Sequence, residues 1–376
     1  MFKQTDAGLF FYQNRQHLLD ILIVSNFMFA TYLHIPNYIL LPTLLLSIWW
    51  LFDFKKSIKS LLGLGVLTLF SCISFYCFRF DLSQLNRIDD FVPVSALFFL
   101  SISLAISPFI KGSTIKLFCY FFFFEIILAI ILFFSGNKDL QALWFNLKNP
   151  ISYNFILPLE GINALSDSSI VFGLNSFLLL ILSFQFFKEN NFFKIFLLAG
   201  TIGVVLSGSK YMIFLLLPFY LYQYLIWKKY SMTIVTSIIV STLLLFGCGL
   251  ILLTSISYIN DLTSQRLKIF YNFYIFINDH LWLGNNSKDY RWISASGKQY
   301  HAHNSIIQLL ATHGLIYSAV LAVIIFRKIN KFNFSSIFFF LLLCLFNHVI
   351  FWGFYHVDLI FGFIIFLDIP NNKYNL

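Results

Sequence analysis

Apolar runs close to 20 residues long recur along this chain, and for most of its length the connections between them are too short to hold a soluble domain. A run of that length makes a helix that crosses the roughly 30 Å hydrocarbon core of a bilayer. Inside hydrocarbon every backbone N–H and C=O must be satisfied internally, which favours helices over open sheets. The runs fall near 17–34, 37–53, 60–79, 91–110, 115–134, 169–187, 193–207, 211–227, 231–256, 304–326, 336–352 and 353–368. They predict an all-α fold: a polytopic membrane helix bundle of about 12 transmembrane helices, forming a single integral membrane domain over 1–376. Hydrophobic residues make up 59% of the chain and charged residues 11%. Charged residues reach roughly 25% in soluble domains, so a water-soluble enzyme is excluded.

Charge placement tests the count independently. If the N-terminus is cytoplasmic and every run crosses, the inner side collects Lys3, Arg15, Lys55, Lys56, Lys59, Lys111, Lys116, Lys188, Lys194, Lys228, Lys229, Arg327, Lys328, Lys331 and Lys373. The opposite short connections hold only Arg79, Arg87 and Lys210. That asymmetry is the positive-inside pattern, and it puts both termini in the cytoplasm. The net charge of +9 is then mostly loop charge facing anionic lipid heads, with no nucleic-acid partner implied. Two sizeable loops fall outside, at about 135–168 and 257–303. Cys72, Cys77, Cys119, Cys248 and Cys344 all lie within apolar runs and read as small core residues. The first run lacks a small-residue cleavage site and is expected to act as its own targeting signal.

The loop at 257–303 carries the densest chemistry. It holds Arg266, Lys268, Lys288, Arg291 and Lys298 against Asp261, Asp279 and Asp289. Basic residues on the translocated side run against the topology bias, so either the loop is merely solvated or something there uses positive charge. His280, His301, His303, His313, His348 and His356 all lie in the last hundred residues. Two of them flank Ala302 where the loop becomes the tenth span, and Asn304 is placed to cap that helix. A histidine at such an entry, with an unperturbed pKa of about 6.5, can accept a proton as neutral imidazole. Blander readings stand beside this one. Arg266 could anchor to lipid heads, Arg291 could pair with Asp289, and Lys210 could snorkel from a helix end.

The stretch His301-Ala302-His303-Asn304-Ser305-Ile306-Ile307-Gln308-Leu309-Leu310-Ala311-Thr312-His313-Gly314-Leu315 resembles the histidine–asparagine signature of the O-antigen ligase and polymerase superfamily, in which a His-Asn pair opens a helix ending in Gly-Leu. Arg266, an aromatic helix and then Asp279-His280-Leu281-Trp282-Leu283-Gly284 resemble its arginine-led segment ending in a Leu-x-Gly turn. Ser207-Gly208-Ser209-Lys210 is similar to its Ser-Gly-Ser-Arg motif at the outer end of a helix, with lysine in place of arginine. That exchange keeps the charge and loses the bidentate fork. The resemblance covers roughly 170–326.

What the resemblance implies is a glycosyltransferase of the bacterial cytoplasmic (inner) membrane. It would polymerise undecaprenyl-diphosphate-linked oligosaccharide repeat units into O-antigen or capsular polysaccharide on the outer face. On that reading Arg266 and Arg291 stabilise the departing diphosphate and His303 is the base for the acceptor hydroxyl. Lys210, His301 and Asn304 help bind substrate. Membrane lipids and a chain-length regulator protein are the other implied partners. The scheme requires no metal and no cofactor. The acidic pair Asp89–Asp90 lacks partners at ligand spacing. A related reading is the ligase that moves finished polymer to a lipid A-core acceptor. A reading of another class is a flippase for lipid-linked oligosaccharide, which needs charge lining a cavity within the bundle. Asp20, Glu125 and Asp358 are costly in lipid and are expected to face the bundle interior.

Overall fold

The fold comes from a computed structural model that describes residues 16–26, 28, 110–137, 161–166, 168–188, 190–253, 266–285, 290–347, 349 and 356–366. The expected spans at 37–53 and 60–79, most of 91–110, Asp89–Asp90 and most of the loop at 135–168 lie outside those residues. Among the described residues the chain is helical apart from one short hairpin. The helices are α1 (16–26), α2 (Gly112–Phe134), α3 (Ser169–Phe186), α4 (Phe193–Leu206), α5 (Lys210–Trp227), α6 (Met232–Leu253), α7 (Arg266–Asp279), α8 (Ser305–Lys328), α9 (Phe334–Phe346) and α10 (His356–Phe366). Strands β1 (Trp292–Ile293) and β2 (Gln299–Tyr300) pair antiparallel, with Trp292 opposite Tyr300. By length and composition α2, α3 and α8 can each cross a membrane. The outward residues of α2 and α8 are as apolar as their buried ones, with Phe124 and Ile131 of α2 and Val320 and Val323 of α8 exposed. A helix apolar all round needs a core or lipid on every side.

The chain divides into two compact units, one of 1–69, 98–212 and 353–376 and the other of 70–97 and 213–352. In the first, α3 is the central helix. Ser168 caps it by accepting from the Val171 amide, 3.4 Å, and every residue from Phe172 to Ser183 is buried. Helix α4 approaches α3 through Gly200 and Gly203. A methyl at Gly200 would come within 2.8 Å of Leu180, and one at Gly203 would collide with Ser176. Small residues let helices close where lipid offers no hydrophobic driving force between them. Two of the buried acids, Asp20 and Glu125, accept from polar side chains. Asp20 accepts from Thr114 Oγ1 at 2.6 Å and Gln16 Nε2 at 2.8 Å. Glu125 accepts from Ser166 Oγ at 2.6 Å and Asn175 Nδ2 at 2.9 Å. The Oδ1 of that same Asn175 lies 2.7 Å from His356 Nε2. Asp20, Glu125 and Asp358 are all buried, as expected from their cost in lipid.

In the second unit α5 packs on α9. Phe219 meets Phe339 edge-on at 4.8 Å, and Gln223 Nε2 donates to Ser335 Oγ at 3.2 Å. Helix α7 lays Ile269 and Phe273 against Ala302 and Ala311, with Tyr290, Tyr300 and Ile307 completing the cluster. Tyr290 stacks on Phe276 at 3.6 Å. Helix α8 is not continuous. Gly314 takes φ 73°, a left-handed conformation that breaks the ladder. The turn after α7 fills the break: Leu315 N donates to Leu281 O at 2.8 Å and Ile316 N to Trp282 O at 3.3 Å. From the turn, Asn285 N donates to Ala311 O at 2.8 Å. The helix that Asn304 opens thus ends at Gly314-Leu315, the pair at which the resemblance puts its end, and a second helical stretch runs on to Lys328.

Candidate functional site

Among the described residues of the second unit, polar side chains converge where α8 begins. Asn304 is extended, φ −154°, and its Oδ1 accepts from the amides of Ile306 at 2.9 Å and Ile307 at 3.0 Å. It thereby satisfies two of the orphan donors every helix start presents. Its Nδ2 donates to Leu345 O at 3.0 Å, which ties the start of α8 to the end of α9. Ser305 adds a second tie, donating to Asn347 O at 3.3 Å and accepting from Val349 N at 2.7 Å. A further brace comes from Gln308. Its Oε1 accepts from Ala302 N at 2.9 Å and its Nε2 donates to Tyr290 O at 2.9 Å. The entry to α8 is therefore rigid before any chemistry is considered.

His303 sits on this frame in the left-handed region, φ 50°. That conformation costs a non-glycine residue on the order of 1–3 kcal/mol, and such residues cluster at functional sites. Its side chain bonds that of Asn347. Burial is the larger force holding its pKa below the ordinary histidine value, and the positive charge of Arg266 pushes the same way; the Asn347 bond opposes both in part. His303 is thus a neutral imidazole at neutral pH. Arg266 opens α7, half-buried, and its Nη1 donates to the Phe346 carbonyl.

The expected site residues divide as follows. Arg266, His303 and Asn304 come together at the junction of α7, α8 and α9. His301 follows β2 and is half-buried. Arg291 stands exposed at the entry to the hairpin. Lys210 is the exposed first residue of α5, within the other unit. It follows a tight turn in which Gly208 has φ 63° and Ser207 Oγ accepts from Ser209 N at 3.2 Å. The Leu206 carbonyl, just before that turn, accepts from Ile162 N at 3.0 Å. Asp289 lies outside the described residues.

Three contributors were not anticipated. Asn347 bonds His303, Gln308 braces the helix entry, and the β1–β2 hairpin carries the chain from Arg291 to His301. For the hairpin a signal existed. Ser294-Ala295-Ser296-Gly297 lies between two aromatic-bearing pairs, and Gly297 takes φ 77° in the turn. Asn347 carried no such signal, because only the fold brings the end of α9 beside residue 303. Among the described residues no cluster of histidine, cysteine or acidic side chains could hold a metal ion. Comparisons with known protein families, characterised proteins and solved structures find no match for this chain.

Proposed function

We propose that this chain is a membrane glycosyltransferase that joins undecaprenyl-diphosphate-linked oligosaccharide repeat units into O-antigen or capsular polysaccharide. The observation that carries this reading is that Arg266 and the His303-Asn304 pair meet the end of α9 at adjacent carbonyls, Phe346 and Leu345, at the start of α8. The donor's leaving group is a lipid diphosphate, so its site needs fixed positive charge near a membrane surface. A guanidinium matches phosphate oxygens in two parallel hydrogen bonds. Arg266, with Arg291, stabilises the charge that grows on the diphosphate as the sugar C–O bond breaks. His303 takes the proton of the acceptor hydroxyl as that oxygen attacks the anomeric carbon. The low pKa serves this role, because the imidazole is unprotonated when substrate arrives. Asn304 and His301 hold the acceptor side.

Lys210 fits the same reading through its position. A lysine at the first residue of a helix meets the positive end of the dipole, an unfavourable place for a cation. A bound anion there would stabilise both. The proposal sets the site on the outer face of a bacterial cytoplasmic membrane, with about 12 spans and both termini inside. Two pairings within the units agree with that topology. Asp20, expected near the inner end of the first span, bonds Thr114 in the inner turn of α2. Asn304, expected at the outer start of a span, bonds Leu345 near the outer end of the next.

The test is activity in vitro after changes at the two charges. Arg266→Ala should abolish polymer formation at an unchanged protein level in the membrane. Arg266→Lys should restore only part of it, since charge returns without the fork. Full activity of the Arg266→Ala, Arg291→Ala double variant would remove the diphosphate site from the account.

A further inference from the structure

Helix α7 was expected to belong to a loop standing outside the bilayer. Its contacts point elsewhere. Arg266, at its N-terminus, lies level with the start of α8, beside His303 and the Phe346 carbonyl. The turn after its C-terminus meets α8 much further along, at Ala311, Leu315 and Ile316. Helix α7 therefore runs alongside the first turns of α8 and in the same direction. Leu315–Lys328 spans about 20 Å at ~1.5 Å per residue. With Arg327 and Lys328 at the inner boundary and a core of about 30 Å, Gly314 sits roughly 10 Å below the outer boundary. The Leu281–Gly284 turn that packs on it lies at that depth.

The hydrogen bonds make sense there. Breaking α8 at Gly314 leaves the Leu315 and Ile316 amides without helical partners, a cost of several kcal/mol each in hydrocarbon. The Leu281 and Trp282 carbonyls accept from both. The outward side of α7 fits too. Tyr271, Tyr274 and Trp282 are 64%, 62% and 61% exposed, and Leu267 and Ile275 are exposed with them. At 3.6 residues per turn Leu267, Tyr271, Tyr274 and Ile275 fall on one stripe of α7, opposite the buried Ile269 and Phe273; Asn278, Asp279 and His280 are exposed at its far end, and Trp282 follows in the turn. Lys268, Asn272 and Asp279 form a polar line along one edge of that stripe. Tyrosine settles at the boundary of lipid and water, and Tyr271, nearest the level of the α8 start, is the one of the three placed there.

We propose that α7 and the Leu281–Gly284 turn form a re-entrant element, and that outer-leaflet lipid covers the Tyr271–Tyr274–Trp282 stripe. This rests on the reading that α8 crosses the bilayer. The test is spin-label accessibility in full-length protein, free of native cysteines and reconstituted in liposomes. Labels are placed singly at Tyr271→Cys, Tyr274→Cys, Trp282→Cys, Lys298→Cys and Val320→Cys. The expected result is oxygen access several-fold above aqueous nickel-chelate access at 271, 274 and 282, with 282 deeper than 271. Lys298, in the exposed hairpin turn, should give the reverse. Nickel access at 271, 274 and 282 would overturn the proposal, and so would low access to both reagents, which would mean that protein covers the stripe. Val320, exposed on the later part of α8, separates the two failures. Oxygen access there with nickel access at 274 removes only the re-entrant element. Nickel access at Val320 removes the span on which it rests.

Discussion

His303 is held neutral by two forces of unequal size, and their signs fix what pH does to it. Burial dominates, the Arg266 charge adds to it, and the Asn347 bond works against both. Since the folded pKa lies below the unfolded one, the unfolded chain takes up a proton first as pH falls. The group therefore costs no stability above about pH 6.5, and stability is lost as pH drops below that value towards the folded pKa. The acid limb of the transfer rate should lie below that of an ordinary histidine. Asn347→Ala should move it lower still, because the bond it removes favours the imidazolium. An unmoved limb would dissociate Asn347 from His303. His303→Ala should lower transfer about 10²- to 10⁴-fold while donor binding persists; His301→Ala should be milder. The sequence marked His303 and Arg266 as candidates through their types and order. It could not mark Asn347, whose role exists only once α9 ends beside α8.

At the scale of elements, the Gly284–Gly314 contact joins the turn after α7 to the break in α8. Both glycines have positive φ, 63° and 73°. A methyl on Gly284 would come within 2.6 Å of Gly314 N and 2.7 Å of Ala311 O, both backbone atoms that cannot swing aside. Either glycine changed to alanine should lower the melting temperature of the detergent-solubilised protein. Gly314, with ψ −178°, lies in a region that essentially only glycine adopts, so alanine there is strained by its backbone alone, and the backbone collision adds to it. Gly297→Ala is the control. Its φ is also positive, 77°, but nothing lies within 4 Å of the added methyl, so only the conformational cost applies. Equal losses at 297 and 314 would mean that the packing of turn against helix contributes nothing. Helix positions were legible here because 20-residue apolar runs and an asparagine cap are local signals. The end of the first helical stretch at Gly314-Leu315 was legible only through the resemblance, since the apolar run at 304–326 reads as one span. What the sequence did not show is the distant Leu281–Gly284 turn that satisfies the freed amides.

For the whole molecule, orientation is the property on which the rest depends. A reporter fused after Lys229 should behave as cytoplasmic and one inserted near Ser287 as external; the opposite result at either site inverts every later loop. The apolar runs and the lysine–arginine bias made the membrane class legible from composition and order. The polar contacts inside each unit were not legible. Glu125, Ser166, Asn175 and His356 are scattered through the sequence and converge only by packing. The enzyme reading also separates from the flippase reading at this scale. A flippase moves lipid-linked units between leaflets, whereas a polymerase lengthens them with no second compartment present. The decisive measurement is chain growth by the purified, folded protein given lipid-linked repeat units in detergent. The account predicts chains of many units from the wild type, and repeat units left almost wholly unjoined by His303→Ala. A folded wild-type protein that leaves every unit unjoined would contradict it.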